Sequence, residues 1–208
     1  PPPRVPSSPN PLFEAAFGPE LEAGDYLIKL IKGKDTLSTK LTINNNPDVN
    51  HSAADRQLRR ESLLKAYNLL EELAYVDYQA IEIRKQTLAL ADSVKNKGLR
   101  ANSFKYADKM AAMHEKISAT QPGEGGVAGQ IRLREKIAEV YSAIGSYEGK
   151  PTDLQLAALS VYVDAVKAMQ SELDTLIKGD LANYNAGIVR AGLQPVKVSD
   201  KATFMQSK

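Results

Sequence analysis

From Ser52 to about Asn96, apolar residues recur by threes and fours through Leu63, Ala66, Tyr67, Leu70, Leu73, Ala74, Ala80, Ile81, Leu88 and Ala91. That spacing keeps one face of a helix apolar over more than forty residues. At 1.5 Å per residue such a helix spans roughly 65 Å, longer than a compact globule. A rod of that length needs partner helices to cover its apolar face, so the run predicts a bundle or coiled coil. Ser52 reads as the N-cap, with Asp55 at N3 in a capping-box arrangement, and Gly98 as the end of the helix.

Three further helices follow. One covers Ser103 to Ser118, with Phe104, Ala107, Met110, Ala111 and Ile117 on one side, and is broken by the segment from Thr120 to Gly126. Another runs from about Val127 to Ile144, and Gly145 to Pro151 forms the next connection. Thr152 caps the last, whose stripe from Leu159 through Val166, Leu173 and Leu181 to Ile188 keeps its phase across Gly179. That continuity predicts one helix reaching Ala191, with Gly192 as the C′ residue. Two long and two short helices in series give an elongated antiparallel bundle over residues 51–192. The short pair is expected beside the far half of the long pair, making a four-helix section that tapers to a two-helix stalk.

Before the bundle, residues 24–50 change to period two. Tyr26, Ile28 and Leu30, then Leu37, Thr39, Leu41 and Ile43, flank a turn containing Gly33, as in a β-hairpin. An isolated hairpin is marginal in water, so either the helices cover it or other sandwich strands lie upstream of residue 1. Residues 1–23 carry seven prolines in the first nineteen positions and read as an extended arm whose Leu12, Phe13 and Phe17 could still dock on a core. Residues 193–208 read as an extended tail. The fold class is therefore mainly α with a small β part. The start at Pro1, without Met or signal peptide, suggests a piece of a longer protein.

Composition narrows the chemistry. There is no cysteine, so neither a disulfide nor a thiolate site can form. Charges over residues 1–50, 51–118 and 119–208 come to −1, +3 and 0, with no basic concentration of the kind nucleic acid requires. No apolar run is long enough to span a membrane.

Candidate groups for catalysis are few. His51 with Asp48 and Asp55 contains metal-ligating types but reads as a capping region. His114 reads as a half-exposed boundary residue. Glu71–Glu72 and Glu172/Asp174 are carboxylate pairs, yet near neighbours on a helix diverge by about 100° or more and cannot share a substrate. Asp77 and Arg84 fall close to the seam and either fix bundle register or sit at its rim. Gly123–Glu124–Gly125–Gly126 lacks the remainder of any phosphate-binding signature. Asn50–His51–Ser52 matches a glycosylation sequon, a pattern common by chance. Tyr67, Tyr78, Tyr141, Tyr147, Tyr162 and Tyr184 read as core and boundary packing, with a sugar-stacking platform as the alternative. The expectation is no catalytic residue, no cofactor and no metal.

The segment from Glu20 to Leu30, with Leu41–Thr42–Ile43, Asn46–Pro47–Asp48–Val49 and Ser52–Ala53–Ala54–Asp55, resembles the C-terminal region of bacterial sortilin-like, BNR-repeat β-propeller proteins often labelled glycosyl hydrolases. The stretches Asp180–Asn185 and Ala191–Val196 resemble that family's close. Ala23 stands where the family has Pro before the Gly, and Asp48 where it has Arg. The resemblance implies that the hairpin finishes a fibronectin-III-like sandwich and that any activity lies in a propeller outside this chain. It implies a secreted or envelope location. The expected function is a noncatalytic structural or interaction module that braces the propeller or presents a helical surface to a partner, including a second copy. The alternatives are an accessory part of a glycosyl-hydrolase-like enzyme, acting through the 119–127 loop, and a glycan-binding module.

Overall fold

The computed structural model describes residues 18–120 and 131–206. Most of the Pro-rich arm, with Leu12, Phe13 and Phe17, lies outside the described residues, as do the Gly123–Gly126 run and most of the 119–127 loop. Strands β1 (Gly24–Lys32) and β2 (Asp35–Ile43) precede helices α1 (Ala53–Ser93), α2 (Lys97–Ile117), α3 (Leu133–Gly145) and α4 (Asp153–Leu176). A π-helical turn (Ile177–Leu181), α5 (Ala182–Arg190) and α6 (Lys201–Gln206) complete the order.

The long helix forms as its periodicity predicts. The Ser52 hydroxyl accepts the Asp55 backbone N–H at 3.0 Å and donates to the Asp55 carboxylate, holding that carboxyl below its ordinary range. Gly98 does not end the helix. The chain turns at 94–96, and the Asn96 side chain caps α2 by accepting from the Leu99 N–H at 3.0 Å. Gly98 thereby falls in the first turn of α2, where the backbone N–H groups have no intrahelical partner in any case. The second helix begins six residues before the expected Ser103.

The taper expected from helix lengths is wrong. α2 runs back along the C-terminal half of α1, and α3 continues in the same direction along the N-terminal half. There Gly145 lies against Leu63, and Arg59 donates to the carbonyls of Ile144 (3.2 Å), Gly145 (2.8 Å) and Tyr147 (2.6 Å). The two short helices meet at mid-length, where the Glu135 carboxylate accepts the Ala119 N–H at 3.1 Å. α4 and α5 run the full distance, with Lys116 pairing to Glu172, Lys109 to Asp180 and Ser103 to Tyr184. The result is a three-helix bundle throughout, because α3 runs in the same direction as α2 and beyond its end.

The fourth rod also differs in one place. Its stripe keeps phase as expected, but across Gly179 the backbone adopts a π turn, Ile177–Leu181. Leu181, Tyr184 and Ile188 remain buried beyond it. Gly192 closes the rod at φ +75°, and the Leu193 N–H reaches back to the Ile188 carbonyl at 3.1 Å, as a C′ glycine should.

Residues 193–208 are not simply an extended tail. Residues 193–200 run beside α1, with Val196 buried, and α6 then seats Phe204 against Tyr75 and Tyr78 at ring-centroid distances of 5.5 and 5.3 Å. Phe204 and Val196 supply the burial that holds the segment down. The core itself is built from side chains that are fully buried, among them Leu73, Ile83, Met110, Ile137, Leu159 and Leu173. Each stabilises the fold by at most about 1.5–3 kcal/mol.

Candidate functional site

The hairpin joins β1 to β2 through Gly33 and Lys34. Gly33 has φ +62° at the first central position, where a II′ turn requires glycine. Register pairs Tyr26 with Leu41, Ile28 with Thr39 and Leu30 with Leu37, which puts all six side chains on one face. The other face carries Leu27 and Ile31 among Lys29, Lys40, Ser38 and Thr36. The first face is therefore apolar and the second mixed. The apolar face is open to solvent, with Leu30 at 64% and Leu37 at 69% relative exposure. The helices do not cover it.

The base of the hairpin is fixed to the bundle by charge. Glu20 pairs with Arg59 at 3.2 Å and Glu22 with Arg60 at 2.8 Å, while the Tyr26 hydroxyl donates to the Glu22 carbonyl. Arg59 is the centre of this joint, since the same guanidinium caps the C-terminus of α3, where a cation complements the helix dipole. A cleft of about 430 Å³ lies between hairpin base and bundle. His51 faces it and meets Tyr147 edge-on, with ring centroids 5.9 Å apart. Asp55 is engaged with Ser52, so it does not join His51 and Asp48 as a ligand set. Among the described residues no group of three His, Cys, Asp or Glu could hold a metal ion.

Glu172 and Asp174 turn to different partners. Glu172 bonds Lys116, and Asp174 accepts from Gln170. Tyr141 and Tyr184 are buried and Tyr147 is exposed; burial pushes the Tyr141 hydroxyl up to about 12. Arg84 is exposed at the rim, whereas Asp77 is fully buried in the seam.

Sequence reasoning separated two residues that the structure joins. The Asp77 carboxylate contacts His114 Nδ1 at 2.7 Å, with the histidine side chain only 14% exposed. Burial raises the Asp77 carboxyl above its ordinary range, and the bond to Asp77 raises His114. The other Asp77 oxygen and the Ser118 hydroxyl are buried without a hydrogen-bond partner among the described residues. A usable signal was the tight 94–96 connection: an antiparallel pair folded there places residues equidistant from the turn side by side, and Asp77 and His114 are equidistant from it.

A second cavity lies between α2 and α5, a groove of about 640 Å³ beside the π turn. Its walls include Lys105, Lys109 and Arg190 with Asn102, Asn183 and the Lys109 partner Asp180. Tyr106 and Tyr184 stack beneath it, centroids 5.9 Å apart at 7°, and the Tyr106 hydroxyl donates to the Leu176 carbonyl at 3.3 Å where the π turn begins. None of these cations or amides stood out in the sequence.

Compared with known proteins, the chain matches no family model, no curated protein and no solved structure. Among the described residues no helix is long and apolar enough to cross a membrane.

Proposed function

We propose that this chain is a noncatalytic structural and interaction module, the C-terminal part of a larger secreted or envelope-associated β-propeller protein. The observation that carries this reading is the apolar hairpin face. A two-stranded sheet with Ile28, Leu30, Leu37 and Leu41 in water is an unfinished layer, because sheets bury one face against another element. A facing sheet from the same parent protein, as in a fibronectin-III-like sandwich, would cover it. The resemblance to sortilin-like BNR-repeat proteins supplies the propeller and the location. The Arg59 and Arg60 joints tie that sandwich to the bundle, so the rod holds a set direction relative to whatever the hairpin joins.

Hydrogen exchange tests the reading. The chain is expressed alone and with its natural upstream coding sequence, and amide protection is followed over residues 24–43. Protection should rise by orders of magnitude in the longer protein. Equal exchange in both would refute it.

A further inference from the structure

We propose that the groove between α2 and α5 is a binding site for an acidic peptide in extended conformation. The groove residues carry three cations, Lys105, Lys109 and Arg190, against one carboxylate, Asp180. Lys109 is paired with Asp180, whereas among the described residues Lys105 has no partner and Arg190 bonds only the Ala186 carbonyl of its own helix through Nε. Two cationic heads therefore stand open on opposite walls, a field that attracts carboxylates.

The two walls also offer carboxamides, Asn102 from α2 and Asn183 from α5, neither bonded to another described residue. A side-chain amide sets an N–H donor beside a carbonyl acceptor, the complement of a peptide unit. The bundle already uses this pairing on its own chain. Asn185 donates to the Val196 carbonyl at 3.0 Å and accepts the Val196 N–H at 2.9 Å. Gln86 does the same to Lys197, at 2.9 and 2.8 Å. Two carboxamides thus hold residues 196–197 extended between helices. Asn102 and Asn183 repeat that chemistry in a groove with no such segment among the described residues.

Dimensions fit. From Asn96 to Lys109 the wall runs roughly 20 Å along α2, the span of about six extended residues. The floor is rigid, because Tyr106 and Tyr184 stack there and the Tyr184 hydroxyl is 2.8 Å from Ser103 Oγ. Gly187 keeps the α5 wall low where Leu99 approaches; a Cβ there would come within 3.2 Å of the Leu99 side chain.

The test is fluorescence anisotropy with the full chain and a fluorescein-labelled peptide of alternating Glu and Ser. The same peptide with Gln for Glu, and a polygalacturonate oligomer of equal charge, serve as comparisons. Saturable binding of the Glu peptide is expected, weakening by about tenfold in Lys105→Ala/Arg190→Ala. A loss of similar size is expected in Asn102→Ala/Asn183→Ala, a change that leaves charge untouched. Circular dichroism melts identify any variant that loses its fold, and Lys105→Gln and Asn102→Ser then take its place. No saturable binding overturns the proposal, as does equal binding of the Gln peptide. Tighter binding of polygalacturonate, or insensitivity to the asparagine variants, overturns the peptide assignment. These outcomes are independent of the hairpin reading.

Discussion

Replacing His114 with Ala leaves the Asp77 carboxylate, fully buried in the seam between α1 and α2, with neither oxygen bonded among the described residues. Breaking a buried pair by removing one member costs about 3–5 kcal/mol, a large share of the 5–15 kcal/mol that holds a typical domain together. The loss depends on pH with a definite sign. Burial raises Asp77 and its bond to Asp77 raises His114, so the folded state holds both protons more tightly than the unfolded state does. The histidine contribution is complete below the ordinary imidazole value of about 6.5 and is lost as pH rises through the higher folded value. The aspartate works in the same direction at lower pH, its ionisation weakening the fold as pH rises through its raised value. In His114→Ala the upper window vanishes and the lower one deepens, because nothing opposes desolvation of the carboxylate. The deficit against the parent should be about 3–5 kcal/mol near pH 6.5 and should shrink toward about 1 kcal/mol near pH 4, because protonation of the stranded carboxyl removes its charge as pH falls. Urea unfolding followed by tyrosine fluorescence reads both, and Asp77→Leu/His114→Leu should recover most of the loss by removing the stranded charge. A deficit that is equal at the two pH values would refute the account of this pair.

Phe204→Ala should cost about 2–3 kcal/mol, since it empties the site between Tyr75 and Tyr78, and hydrogen exchange should show residues 196–206 losing protection while α1 to α3 keep theirs. Tyr106→Phe should cost about 1 kcal/mol in urea by removing the bond to the Leu176 carbonyl, with the stacked ring left in place.

The four bundle rods, the hairpin and the Ser52, Thr152 and Gly192 caps were legible because each follows from local rules. Ser52 and Thr152 satisfy backbone donors three residues away, and Gly33 and Gly192 supply backbone angles other residues avoid. The direction of α3 was not legible: it runs the same way as α2 instead of opposite to it, and that one choice decides between a tapering four-helix bundle and a uniform three-helix rod. The tail was misread because Phe204 looks like an isolated aromatic until Tyr75 and Tyr78, well over a hundred residues earlier, provide its pocket. The π turn kept the apolar phase, so periodicity could not disclose it. His114 looked like an edge residue because its partner lies on another helix, and the cations facing the α2–α5 groove gave no signal because each is exposed on its own helix.

The in-line meeting of α2 and α3 has a mechanical consequence. Two strands of the three-stranded cable, α1 and the α4–α5 rod, are continuous, whereas the third is spliced opposite Asp77. A break in one of three strands lowers bending stiffness there, so any bend of the rod should fall at mid-length and not at its ends. The hairpin would then move at the end of an arm of roughly 36 Å, the length of α1 from Asp77 to Ala53, with the Asp77–His114 pair beside the pivot.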